Sequence, residues 1–388
     1  MRASARLLAA MALLGFSLWL VGAVLGDRAV WSQWLSWIPT VATLVGMVVC
    51  VAGSWVCARL TALLVPGVST SGAGGTAAGS GARARRAGSG SRRLAGALAL
   101  GLGAFMLVGE WRIQRLVFKP AAPSGRAFTL LYWNHASNWS LSWMDTTSRE
   151  LSDITVLNAP LYWERMPELM AKIGKEHTEK YQYQRVDSYA VISRWPIARW
   201  ARINLNLPTV QTKLRPYATV WERGWYWNRG GAAWIEFDTK ASLGKNLVVW
   251  IMDMPSDPRL HREEICRIAS ETMRGWNGGA MERGPVGQFI ESKQKMEGFP
   301  APDMIFGDFN IPRGARSLRH LVGGATGAFE AVGVGSGATY PARLPLFGID
   351  QMFTRGDVSA ASYRLFHPGF GTHKAQHATL VVREAPGS

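Results

Sequence analysis

An uncharged apolar run at residues 5–26 constrains this chain more than any other feature of its sequence. A helix rises about 1.5 Å per residue, so roughly twenty such residues cover the ~30 Å hydrocarbon core of a bilayer. Two further runs follow at 35–56 and 94–110, the last of them shorter and rich in Gly and Ala. Three transmembrane helices are therefore expected within residues 1–111. A cleaved secretory signal is the rival reading of the first run, but its apolar core is too long and no small-x-small site follows it. Between the second and third runs, residues 67–93 are dominated by Gly, Ser, Ala and Arg and read as a flexible linker.

Arginines give the expected orientation. Arg2 and Arg6 precede the first run, and Arg83, Arg85, Arg86, Arg92 and Arg93 precede the third. Basic residues beside spans mark the cytoplasmic side, while the nearly neutral loop at 27–34 belongs outside. Three spans then place residues 120–388 outside the cytoplasm, in the periplasm or at the cell exterior. The net charge of +16 favours anionic partners such as phosphates, nucleic acid or lipid head groups. Solvated surface charge explains it equally well. Of three cysteines, Cys50 and Cys57 lie in an apolar run, which leaves Cys266 alone in the soluble part. Neither a disulfide framework nor a Cys/His zinc cluster can be built from that set.

From about residue 120, short β-like runs alternate with amphipathic stretches and Gly/Pro punctuation. Strands are expected at 128–133, 154–157, 189–193, 218–222, 232–237, 247–252, 304–306, 349–353 and 378–382. Helices are expected near 145–151, 161–173, 258–273 and 316–321. Many strands with a few helices in one soluble domain predict an α/β sandwich, two packed and mainly antiparallel β-sheets flanked by helices. The cluster Trp221, Trp225, Trp227 and Trp234 reads as edge-strand packing or an interfacial contact, with a ligand-stacking surface as the alternative.

Several polar residues fall where those strands end: Asn134 in LLYWN, Asp253 in VVWIMDMPS, Asp308 and Asn310 in IFGDFN, Asp350 in FGIDQMF, and His377 in KAQHATLVV. A lone Asp or Asn at such a place is ordinarily a turn or cap residue. Five such sites can converge at the mouth of a sheet. Their order, together with YAVISRWPI at 189–197, resembles the endonuclease/exonuclease/phosphatase superfamily of phosphoesterases over residues 130–382. The resemblance implies a hydrolase acting on a phosphodiester or phosphomonoester with Mg²⁺ or Mn²⁺. In it Asp308 would position or deprotonate the attacking water, and Asn310 would hydrogen-bond a phosphate oxygen. His377, held by Asp350, would meet the phosphoryl group, and Asn134 would orient the neighbouring acid or the phosphate. Such a site neutralises charge, positions a water and orients an imidazole.

The sequence also departs from that pattern. The second strand, where the family carries a metal-binding Glu, ends Leu157-Asn158-Ala159. Gln376 stands where an acid would precede the terminal His, and Asp253, or Met252 if the register slips by one, stands in place of a mid-domain His. Hard divalent cations prefer several oxygen ligands, so a rebuilt metal site would rest on Asp308 and Asp253. The spacing His373-x-x-x-His377 imitates a zinc-protease helix, but Lys374 replaces the general-base Glu and a β-like run follows directly. The expected protein is thus a membrane-tethered phosphoesterase; a degenerate module that binds phosphate-bearing ligands without turnover is the alternative. Nucleic acid, a phospholipid head group and a small phosphoester all remain open as substrates, and the bilayer is the other partner.

Overall fold

The computed structural model describes residues 2–64, 78–135, 142–158, 163–177, 180–207, 229–285 and 287–384. It divides into two compact units, Met1–Arg112 and Ile113–Ser388. The first is helical: α1 (Arg2–Leu25), α2 (Val30–Ser36), α3 (Thr40–Leu64) and α4 (Ala78–Phe105), the last running into a π-helical turn at Met106–Glu110. Three stretches are long and apolar enough to cross a membrane: Ala3–Leu25, Thr40–Thr61 and Gly90–Glu110. The second starts at Thr40 rather than residue 35 because Pro39 has no N–H to give to a helix already under way. The residues before it fold separately as α2. Helix α4 begins at Ala78, inside the segment expected to be linker. Ala and Arg favour helix and no proline interrupts the stretch, so its Gly and Ser residues weaken the helix without preventing it. Polar side chains among these helices satisfy one another. Ser54 Oγ donates to the Ala5 carbonyl at 2.7 Å, Trp19 Nε1 donates to Thr40 Oγ1 at 3.1 Å, and Thr40 Oγ1 donates to Glu110 Oε1 at 2.5 Å.

The second unit, among its described residues, holds two β-sheets. One runs β13 (Val358–Phe366), β14 (Ala375–Val382), β1 (Arg126–Asn134), β2 (Ile154–Asn158), β4 (Tyr189–Ser193), β3 (Gln182–Val186). The other runs β11 (Thr326–Gly327), β12 (Asp350–Thr354), β10 (Met304–Asp308), β7 (Leu247–Asp253), β6 (Gly231–Phe237), β5 (Ile197–Asn204), β8 (Gly279–Arg283), β9 (Phe289–Lys295). The pairs β1–β2 and β7–β10 are parallel and the other named pairs are antiparallel, so both sheets are mixed.

Side-chain alternation sets the layers. On β1, Phe128, Leu130 and Tyr132 enter the core between the sheets, while Leu131 and Trp133 pack against α5 (Trp143–Arg149) and α6 (Met166–Glu176). On β7 and β10, Val249, Ile251, Met304 and Phe306 fill the same inter-sheet core. A short α7 (Lys240–Leu243) lies in the β6–β7 connection. The other face of β7 and β10, with Met252 and Ile305, packs on α8 (Arg262–Arg274) and α9 (Arg319–Val322). The result is the four-layer α/β sandwich that the strand and helix pattern predicts. Strands β3, β5, β8, β9, β11 and β13 were not expected, and they carry more polar or short stretches than the others. FIESKQK of β9 is exposed along most of its length and carries no apolar alternation. The expected strand at 218–222 and Trp221, Trp225 and Trp227 lie outside the described residues. Trp234 is fully buried and meets Trp276 edge-on at 6.3 Å, which is a packing role.

Candidate active site

The alternation that builds the inter-sheet core continues past it into polar residues. Two positions beyond Ile251, Phe306, Tyr132 and Val156 stand Asp253, Asp308, Asn134 and Asn158. Two before Met352 and Val191, on antiparallel strands, stand Asp350 and Tyr189. Register aligns them. Asn204, Gly231, Asp253, Asp308 and Asp350 form one row across five neighbouring strands. Asn134, Asn158 and Tyr189 form a row in the other sheet. Asn134 Nδ2 donates to Asp308 Oδ2 at 2.9 Å and so joins the two sheets.

Local geometry fixes Asp308. Gly307 has φ +144°, and a Cβ there would lie 2.0 Å from the Met252 carbonyl oxygen. Only glycine lets β10 lie this close to β7 just before the carboxylate. The backbone N–H of Asn310 then donates to Asp308 Oδ1 at 2.9 Å. Asn310 reaches that position with φ +49°, a conformation Asn tolerates better than most residues. Its side-chain Nδ2 donates to the Met254 carbonyl at 2.8 Å, so part of its donor capacity holds backbone in place.

Asp350 Oδ2 lies 2.8 Å from Nδ1 of His373, and the Tyr340 ring flanks that imidazole at 5.0 Å between centroids. Asp308, Asp350 and His373 are all buried and offer ligand atoms within 4.8 Å of one another. Burial, then the Asp350 carboxylate, push the Asp308 carboxyl well above the ordinary carboxylate range, against the opposing pull of His373. Burial alone would lower His373, but Asp350, Asp308 and Asp253 outweigh it and raise the imidazole to about 9. The Tyr132 and Tyr189 hydroxyls are held far above 10 by burial and then by the nearest Asp (Asp350 and Asp253, respectively), so both stay protonated.

Three buried oxygens at this mouth have no hydrogen-bond partner among the described residues: Asp350 Oδ1, Asn158 Oδ1 and Tyr132 Oη. Buried acceptors are ordinarily satisfied. Carboxylate oxygens and an amide oxygen make a donor set that fits a hard divalent cation such as Mg²⁺ or Mn²⁺.

One expectation changes here. His377 does not pair with Asp350. It lies within β14 opposite Leu131, so it faces the outer layer with Leu131, while Gln376 faces inward and accepts from Tyr363 Oη at 2.6 Å. His373, four residues earlier and before the strand begins, makes the contact with Asp350 that was expected of His377. Asp253, opposite Asp308 on the neighbouring strand, also lines a neighbouring pocket with Tyr189, Arg202 and Asn204. Asn158, read as a missing ligand, does stand at the mouth. His373 was visible in the sequence as the first His of the H-x-x-x-H pair, and strand parity from ATLVV could have selected it.

No protein-family model matches the sequence, and no curated protein matches it. Among solved structures, the chain is similar to endonuclease/exonuclease/phosphatase proteins. One, from Bacteroides thetaiotaomicron, is 15% identical with a TM-score of 0.42, covering 67% of this chain and 100% of its own. A second, from Beutenbergia cavernae, is 15% identical with a TM-score of 0.41, over 68% of this chain and 73% of its own. A mannosyl-6-phosphatase of Bacteroides thetaiotaomicron is 15% identical with a TM-score of 0.40, over 65% and 99%.

Proposed function

We propose that this chain is a membrane-tethered phosphoesterase, its soluble unit outside the cytoplasm, hydrolysing a phosphodiester or phosphomonoester at Asp308, Asp350 and His373 with Mg²⁺ or Mn²⁺. The observation that carries the reading is the convergence of those three buried groups, from distant parts of the sequence, beside two unsatisfied oxygens on Asp350 and Asn158. Asp308, Asp350 and Asn158 would hold the cation, which when bound neutralises phosphate charge. Asp350 engages His373 through Nδ1, which orients the ring and leaves Nε2 as the edge that meets the phosphoryl group. Raised basicity keeps that edge protonated near neutrality, so it donates to a phosphate oxygen or to the leaving group. Asn134 and the Asn310 N–H hold the Asp308 carboxyl for a water. The arginines beside the apolar helices support the outward orientation.

Binding without turnover is the second reading, and Asn158 favours it because a neutral amide holds a cation more weakly than a carboxylate does. The full chain in detergent micelles, assayed on bis(4-nitrophenyl) phosphate, 4-nitrophenyl phosphate and a single-stranded oligonucleotide with Mn²⁺ or with chelator, decides between them. Metal-dependent hydrolysis that His373→Ala abolishes supports the enzyme. No hydrolysis of any of the three, with Mn²⁺-dependent phosphate binding intact, supports the binding module.

A further inference from the structure

The polar row does not stop at the metal-binding groups. Beyond Asp253 it passes through Gly231 and ends at Asn204. Gly231 leaves a notch in that row: a Cβ there would make only ordinary contacts, 3.8 Å from the Ile203 carbonyl oxygen and 3.9 Å from Arg202 Nη2, so this is not a tight backbone approach. A pocket of about 140 Å³ lies at the notch, lined by Tyr189, Arg202, Asn204, Arg229, Gly231 and Asp253. Neighbouring strands are about 4.8 Å apart, which puts Gly231 roughly 10 Å from Asp308.

Two guanidinium groups line this pocket. Arg202 is oriented by Asp187, whose Oδ2 lies 3.0 Å from its Nε, while its Nη2 lies 3.9 Å from where a Cβ on Gly231 would stand. Arg229 is exposed, and its side chain has no ion-pair partner among the described residues. Two planar donor forks with an amide beside them suit a tetrahedral anion, which accepts from several directions, better than a planar carboxylate, which one arginine satisfies. The Asp253 carboxylate stands between this pocket and Asp308 and is an acceptor for hydroxyl groups.

We propose that the pocket is a second phosphate subsite, so that the substrate carries two phosphates about two strand spacings apart on a hydroxylated frame. One phosphate reacts at Asp308, Asp350 and His373; the other is held by Arg202 and Arg229, with Asp253 receiving hydroxyls of the frame between them. The inference rests on the phosphoesterase reading of the first centre and adds the class of molecule that it takes.

Phosphonates test this, because a carbon–phosphorus bond is not cleaved by ester hydrolysis and binding is read alone. Titration calorimetry would compare α,ω-alkylene bisphosphonates of two to eight methylenes with alkylphosphonates of equal length. The protein is the full chain in detergent micelles with Mn²⁺. The wild type should bind one bisphosphonate length at least tenfold more tightly than its monophosphonate, because the second contact is intramolecular. Arg229→Gln and Gly231→Leu, which fills the notch, should each remove that preference and leave monophosphonate affinity unchanged. Equal affinity for the two classes in the wild type, or a preference that survives both substitutions, overturns the subsite. Monophosphonate that binds without regard to Mn²⁺, beside a bisphosphonate preference lost in Arg229→Gln, would sink the metal centre and leave the subsite standing. If neither class binds, both fail.

Discussion

Asp350 engages His373 through one ring nitrogen, and the value of that contact depends on the proton it keeps in place. Replacing Asp350 by Asn should leave the fold intact and lower turnover by about 10³-fold, as loss of an orienting carboxylate does elsewhere. His373→Ala should be as damaging and the double variant little worse, because residues that act as a unit are not additive. His377→Ala is the control; facing the outer layer, it should leave kcat within about twofold of wild type. Parallel initial-rate assays and melting curves check all four, and a His377 variant as inactive as the His373 variant would refute the assignment. The same groups set a pH dependence. In the folded chain Asp308 and His373 hold protons more tightly than they would unfolded, so stability falls as pH rises. For His373 the loss runs from its ordinary 6.5 to about 9. A divalent cation held by Asp308 displaces its proton, so the increase in melting temperature given by saturating Mg²⁺ should widen from pH 6 to pH 9. An increment that stays flat or shrinks over that range would count against Asp308 as a ligand. At this scale the sequence revealed Asp308, Asp350 and Asn134 because each ends an apolar run. It misplaced the imidazole because two histidines four residues apart differ only in which sheet face they meet.

The strands that sequence patterning found are those buried on both faces. ITVLN of β2 and YAVIS of β4 are buried at every position, and their continuous apolar runs stand out from the surrounding chain. Strands β3, β9 and much of β13 meet water on one side and carry Gln, Lys, Arg and Ser there, so propensity alone does not mark them; pairing with an already formed neighbour does. The site depends on β10 lying against β7 at Gly307. Gly307→Ala would set a methyl group against the Met252 carbonyl at a positive φ, at a cost of about 2–4 kcal/mol. For a unit of this size that corresponds to a melting temperature lower by roughly 5–10 °C. Cation affinity should fall with it, since Asp308 follows directly on the same strand. A Gly307→Ala protein that melts normally and still binds Mn²⁺ would show that the close approach does not hold the carboxylate.

At the scale of the whole chain, composition revealed the three long apolar helices because continuous uncharged runs of that length stand out from the rest of the sequence. It gave less about the linker, where Ala and Arg support helix as readily as they suit a flexible tether. The outward orientation predicts that a reporter active only outside the cytoplasm is active when fused after Ser388 and silent when fused at Gly79; the reverse pattern would refute it. The strand order has a consequence for how the protein is made. β1, the first strand of the soluble unit, lies between β2 and β14, the last strand of the chain. The apolar helices leave the ribosome more than two hundred residues before β14 does. Throughout that interval one edge of β1 lacks its neighbour, so the apolar helices are complete early in synthesis and closure of the first sheet comes last. A chain stopped short of Ala375 would carry the same three apolar helices as the complete one, with β1 left as an open edge ready to pair with a strand from another copy.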